Sequence, residues 1–311
     1  MFFLPGFPAG LYSAPEDIPG GAGENGVMLT QSSEQVIYDI YDGLAAAYPQ
    51  FVTKQVMAQV GDRKINRYTF SNYPLINASE FAVQPLKICI VTSLHGYEQG
   101  CAWTAAQFFR LMCENPTDPH LGFLRRNVVF DVIPVANPWG FAHNARKNAN
   151  GVDLNRNFSE DFYGQNPPES TEYGGPHPFS EIETQTLKQF IAENMDAQAV
   201  LDYHNIGKGY PLFYVYQQKD VQLAYGIFAA LSEKWQAQYP AFPTDRLLGR
   251  VRPNGHEGMF ADHLRACNLW ALTLETPWCM PDIGTKQYDA PTIRCALDML
   301  VNTILAIVQK C

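Results

Sequence analysis

The sequence predicts an α/β fold: a single domain with a central, mostly parallel sheet and helices on both faces. Three observations carry this. Short apolar runs recur at Leu86–Leu94, Val128–Val135, Ala199–Tyr203, Leu212–Tyr216 and Leu269–Leu274, as expected of strands covered on both faces. Stretches with helical spacing alternate with them, and that alternation builds parallel sheets through crossover helices. No internal repeat or Gly/Ser/Pro-rich linker divides the 311 residues, a length that one large domain can absorb.

Taken in order, residues 1–31 hold many Gly and Pro and little periodicity, so an irregular lead-in is expected, with the folded domain over 32–311. Gly21-Ala-Gly23-Glu-Asn-Gly26 spells a dinucleotide fingerprint, but it follows no strand and opens no βαβ unit. Ser32–Tyr48 has helical spacing, with Val36, Ile37, Ile40, Leu44 and Ala47 on one face, and Pro49 stops it. Val52–Gln59 and Ile65–Ser71 predict a hairpin joined through Gly61–Lys64. Glu98–Glu114 returns to helical spacing after the strand at Leu86–Leu94. Ser180-Glu-Ile-Glu183 has the form of a capping box opening a helix to about Asn194. Helices are expected again at Val221–Gln238 and Thr292–Lys310, the latter with Leu297, Leu300, Val301, Ile304, Leu305 and Val308 inward.

Bulk properties exclude some functions. Net charge is −9 and no Lys/Arg run offers a phosphate track, which argues against nucleic acid. No apolar run reads as long enough to span a bilayer. The opening residues Met1–Pro8 lack a basic residue and are broken by Pro, a poor leader peptide. Seven Cys without Cys-x-x-Cys spacing favour reduced thiols and a cytoplasmic location, with Cys89, Cys101 and Cys113 in apolar surroundings. Action outside the cytoplasm stays open, and nothing indicates the oligomeric state.

The chemistry gathers around Asn148–Phe158, Asn-Ala-Asn-Gly-Val-Asp-Leu-Asn-Arg-Asn-Phe, with Arg146-Lys147 just upstream. So many short polar groups suit either an Asn/Gly-rich surface turn or a loop gripping an anion, Arg156 offering a planar fork and Asn155 a further donor. His95 and Glu98 follow one apolar strand and His204 ends another, where open α/β sheets bind ligands. Each alone is as readily a rim residue. Together, two His and one Glu make a catalytic zinc set with a fourth position open to water, which requires the two ring nitrogens to lie within about 8 Å. Glu275 ends a third strand, as a capped rim residue or as a base beside the metal-bound water. Arg146 could stabilise an oxyanion, Asn155 and Arg156 a terminal carboxylate, and Asp153 could orient a zinc-bound imidazole. These groups fit hydrolysis of an amide next to a free carboxylate.

His95-Gly-Tyr-Glu98, Asn137-Pro-Trp-Gly-Phe141, Arg146-Lys147, Asn150–Phe158, Tyr203-His204 and Leu274-Glu275, in that order, resemble the zinc carboxypeptidase family often called M14. The resemblance implies an eight-stranded mixed sheet between helices. It implies one Zn2+ per chain on His95, Glu98 and His204, with Glu275 as general base. It implies Arg146 as electrophilic donor, and Asn155 with Arg156 as carboxylate clamp. The substrate would be a peptide or acyl-amino acid with a free carboxylate. Digestive members place a clamp Tyr about 22 residues before the base, in the resemblance, where this chain has Pro253 among Arg250, Arg252, Asn254 and His256. The residue at the base of the specificity pocket falls at Phe260, which would shrink an apolar pocket, while Arg250 and Arg252 suggest an acidic substrate end. An amidase of cell-wall peptides, an N-acyl amino acid deacylase and a non-catalytic binding module are the alternative readings. His256-Glu257 lacks the second His of a metalloprotease helix, and no Gly-x-Ser-x-Gly elbow or phosphate-cradling Gly-Lys-Ser/Thr loop is present.

Overall fold

The chain alternates helices α1 (Gln35–Ala47), α2 (Gln99–Glu114), α3 (Pro119–Asn127), α4 (Pro138–Ala142), α5 (Ile182–Ala192), α6 (Gln218–Gln238), α7 (Phe260–Ala266) and α8 (Ala290–Lys310) with eight strands. The strands are β1 (Val52–Val60), β2 (Arg63–Phe70), β3 (Leu86–Thr92), β4 (Val128–Ile133), β5 (Ala199–Ile206), β6 (Leu212–Val215), β7 (Leu248–Val251) and β8 (Ala271–Pro277). This is a computed structural model, and it describes residues 6–21, 33–73, 85–159, 162, 166–207, 212–215, 218–238, 248–251, 258–278 and 288–311.

The strands form one mixed sheet in the order β1-β2-β4-β3-β5-β8-β6-β7. The four central strands, β4, β3, β5 and β8, run parallel. The β1–β2 hairpin joins one side antiparallel through β2. On the other side β6 runs antiparallel to β8, with β7 parallel to β6. Side chains alternate across a strand, so the sheet has two buried faces. Ile88, Ile90, Leu201, Tyr203, Leu272 and Leu274 share one core with residues of α1, α2, α3, α6 and α8. Cys89, Val91, Val200 and Ala271 share the other with residues of α5 and α7 and with Leu154 and Phe158.

The expected elements are present, with boundaries moved by a few residues. In α1, Tyr38 and Tyr41 are buried along with Ile37 and Leu44, so aromatic residues share the face that the aliphatic spacing marked. Cys89, Cys101 and Cys113 are buried, as expected. Residues 6–21 carry no helix or strand. They are nonetheless fastened to α8, since the Tyr12 and Ala14 amides donate to Asn302 and Asp298. Residues 22–26 of the glycine-rich fingerprint lie outside the described residues.

Two expectations are corrected. The capping box at Ser180–Glu183 does not form. Glu181 takes the cap position without a side-chain cap bond, because its neighbours have other partners: the Ser180 hydroxyl donates to Glu181 and accepts from Asn157, and Glu183 accepts from Asn148. Second, α8 is long and apolar enough, by length and composition, to cross a bilayer. Its Thr, Asn and Asp residues break up the apolar run in the sequence. In the fold, 83% of that apolar window is buried within the protein, and its side chains belong to the core shared with α2 and α6.

Sequence reading passed over α3, α4, α7 and β7. The first two carry clear start signals. Asp118 accepts from the amides of His120 and Leu121 ahead of Pro119, and Arg125 and Arg126 end that helix. Asn137 accepts from the Gly140 amide ahead of Pro138.

Of these, α4 packs against the turn that carries the site. The backbone of Gly140 and Phe141 in α4 lies directly over Gly96, where a Cβ would stand 2.0 Å from the Gly140 carbonyl carbon. Only glycine lets the turn after β3 pass beneath α4. Gly96→Ala is expected to destabilise the fold by about 1–3 kcal/mol or more, read as a lowered midpoint in denaturant unfolding. An unchanged midpoint would contradict this packing.

Candidate metal centre

His95 and Glu98 occupy the turn between β3 and α2, and His204 lies near the carboxyl end of β5, two strands from β4. In the parallel β3–β5 pairing Thr92 faces Tyr203, so the turn after β3 lies beside His204. Glu98 sits between the imidazoles. Its Oε1 is 2.8 Å from His95 Nδ1 and its Oε2 is 2.8 Å from His204 Nδ1. The Asn205 amide donates to the same Oε2 at 3.1 Å. All three side chains are buried. One donor atom from each lies within 4.8 Å of the others, well inside the limit required of the two ring nitrogens.

A carboxylate stands on the far side of each ring. His204 Nε2 is 2.7 Å from Asp202 Oδ1, and His95 Nε2 is 3.3 Å from Asp153 Oδ1. Asp153 takes two further contacts from Arg146, Nε at 2.9 Å and Nη2 at 2.8 Å, and accepts the Asn155 amide. The remaining nitrogen of Arg146, Nη1, is 3.4 Å from His95 Nδ1 and 3.5 Å from the Tyr97 hydroxyl. Arg146 is thus anchored by one edge of its guanidinium and turned toward the His95 ring by the other.

Glu275 pairs with His204 in register on the adjacent parallel strand β8, and residues directly opposite share a face. Burial, the largest effect, and the charge of Glu98 push its carboxyl up to about 7. A carboxyl poised near neutrality suits proton transfer. Glu98 responds in the opposite direction. Burial opposes its ionisation, but the two imidazoles outweigh that and hold it well below the usual carboxylate range. Asp153 is likewise held low despite burial, by His95, Arg146 and Arg156. His204 is pushed up because Asp202 and Glu98 outweigh its burial.

The Asn-rich stretch divides into two jobs. Asn148 and Asn157 are structural: Asn148 donates to Glu181, and Asn157 bonds Gly174, His177, Ser180 and Thr184. Asn155 bonds a different element. Its Oδ1 accepts the Phe260 amide at 2.9 Å, which fixes the side-chain amide with its NH2 as the remaining donor. Arg156 bonds the Asn155 carbonyl and pairs with Glu172 at 3.0 Å. Phe260 is fully buried against Phe158 in the core. Arg250 is carried by β7 opposite Tyr214. Arg252, with Pro253, Asn254 and His256, lies outside the described residues.

Sequence reasoning passed over Asp202, Asn205 and Tyr97. Asp202 had a legible signal, since Asp-x-His on a strand puts both side chains on one face. Asn205 had none: its side chain accepts the Cys101 amide at the start of α2 and donates to Thr276 on β8, contacts visible only in three dimensions.

A His/Glu/His cluster at the carboxyl ends of a mixed sheet, with a second carboxylate on the next strand, is a donor set that could hold a metal ion. The sequence matches the zinc carboxypeptidase family, Peptidase_M14, over residues 37–259, and the chain belongs to that family. Carboxypeptidase A4 of Mus musculus is 24% identical over 192 residues, 55% of this chain and 44% of that protein. This chain therefore spans less than half the length of that relative. Murein peptide amidase A of Escherichia coli (strain K12) is 28% identical over 210 residues, 64% of this chain and 74% of that protein. Carboxypeptidase A from Helicoverpa armigera superposes with a TM-score of 0.67 at 20% identity, covering 93% of this chain and 75% of that one, which supports the shared fold.

The donor set fits zinc: two imidazole nitrogens and one carboxylate, buried and convergent, with carboxylates beyond the rings. Ligation needs the neutral form of both imidazoles, and Asp202 and Glu98 favour the protonated form of His204. Zinc affinity is therefore expected to weaken as pH falls, with about one or two protons released per ion. Calorimetry in buffers of different ionisation enthalpy measures the release. Affinity independent of pH between 5 and 8, with no protons released, would contradict the arrangement.

Proposed function

We propose that the protein is a zinc-dependent metallocarboxypeptidase that hydrolyses an amide bond next to a free C-terminal carboxylate. The observation carrying this reading is the Glu98 carboxylate set between two Nδ1 atoms, with Glu275 in register beside His204. Zinc bound by His95, Glu98 and His204 would polarise the scissile carbonyl and acidify a water. The rest falls to the chain's own residues. Glu275 takes a proton from the attacking water and passes it to the leaving nitrogen. Arg146 Nη1, 3.4 Å from His95 Nδ1, supports the negative charge on the carbonyl oxygen. Asn155 and Arg156 hold the terminal carboxylate, the Asn155 amide being oriented by the Phe260 amide. Asp153 fixes His95 and Arg146 together. Arg250 and Arg252 favour an acidic substrate end, and Phe260, buried against Phe158, shrinks the base of the specificity pocket.

Glu275→Gln is expected to retain zinc and to lose turnover by about 10^2–10^4-fold, measured with a broad set of peptides alongside metal analysis. Retained turnover would remove Glu275 as the base. Arg252→Ala is expected to lower the preference for acidic over apolar C-termini; an unchanged ratio of kcat/KM values would discard the role of that arginine.

A second reading, an amidase of cell-wall peptides, is favoured by one observation. The match to murein peptide amidase A covers 74% of that protein, against 44% for carboxypeptidase A4. Profiling C-terminal peptides against muropeptide stems and acyl-amino acids separates the two: faster hydrolysis of stems would replace the first reading.

A further inference from the structure

Asp202 is a buried acid to which the scheme above gives no role. It stands two residues before His204 on β5, so both side chains lie on one face of the sheet. Its Oδ1 is 2.7 Å from His204 Nε2, and both residues are almost wholly buried. Its Oδ2 accepts from the Thr273 hydroxyl at 3.3 Å, and Thr273 faces Asp202 in the β5–β8 register. A carboxylate closed off from water and held at both oxygens has little freedom to turn.

The two imidazoles are backed unequally. Asp153 lies at 3.3 Å from His95 and gives its other oxygen to two nitrogens of Arg146. Its charge is shared between an imidazole and a guanidinium. Asp202 is closer to its imidazole, and its second described partner is a neutral hydroxyl. The stronger hold therefore falls on His204.

We infer that Asp202 is a positioning residue: by accepting the Nε2 proton of His204 it fixes that ring's tautomer and rotation, and leaves Nδ1 as the atom offered to the metal. This rests on the zinc reading of the His95/Glu98/His204 cluster. The bland alternative is that Asp202 only ties β5 to β8 through Thr273. The two differ in what they do to the metal. A carboxylate behind a ligating imidazole typically contributes about 10–100-fold in metal affinity, whereas a strand tie contributes to melting alone.

The test is zinc competition with a chelator, run on the wild type, Asp202→Asn, Asp202→Ala and Thr273→Val, with melting of each metal-free protein and the visible spectrum of each cobalt-substituted form. Asp202→Ala is expected to bind zinc about 10–100-fold more weakly and to shift the cobalt spectrum. Asp202→Asn, which keeps an acceptor for Nε2 without the charge, should recover part of that affinity. Thr273→Val should bind zinc as the wild type does even where it melts lower. Wild-type affinity and spectrum in Asp202→Ala, or Asn no better than Ala, would overturn the inference. Should the Ala variant fail to fold, Asp202→Asn decides: weaker zinc with a shifted spectrum supports the role, and no change in either overturns it. A wild type that takes up no zinc would sink the metal reading and this inference with it, while tight zinc in both wild type and Ala variant sinks this inference alone.

Discussion

The structure depends on one buried carboxylate. Glu98 is 4% exposed, and an ionised acid so far from water is costly unless every oxygen is matched. It is matched by two imidazoles and a backbone amide, and those partners come from the turn after β3 and the end of β5. The charge of Glu98 can be accommodated only if these two parallel strands end side by side. Much of the local architecture serves that condition. Gly96 lets the turn pass under α4, and Asn205 bonds the start of α2 with one side-chain atom and β8 with the other.

The same condition sets the electrostatics. The two imidazoles hold the Glu98 carboxyl low against its burial, and the charge of Glu98 in turn adds to the burial that raises Glu275 to about 7. Two carboxylates in one site are thus shifted in opposite directions by their surroundings, a separation that homogeneous solvent would not produce. The outer acids extend the pattern: Asp153 couples the His95 ring to Arg146, and Asp202 couples the His204 ring to β8.

Much of this was legible in the sequence. Apolar runs marked β3, β4, β5 and β8, and residues placed just beyond them, His95, Glu98, His204 and Glu275, are those the fold gathers. Where the reading fell short, competition among hydrogen-bond partners was the cause. Ser180 and Glu183 have the spelling of a capping box, yet Asn157 and Asn148 engage them first. Conversely Asn148 and Asn157, read as part of an anion grip, spend their amides on the loop at 174–184 and on Glu181. Helix α8 hides its length because its polar residues are absorbed inside the fold, Asp298 by Lys234 and Trp235 and Asn302 by Tyr12. No local pattern predicts such distant partners. Asp202 is the opposite case, a signal present in the strand period and passed over.

The central claim is that His95, Glu98 and His204 converge on one metal ion. Anomalous diffraction at the zinc edge from crystals of the full chain tests it most directly. The account predicts a single strong peak with His95 and His204 nitrogens at about 2.0–2.1 Å and a Glu98 oxygen at about 2.0–2.2 Å. A zinc peak held by other residues, or none in crystals grown with excess zinc, would contradict it.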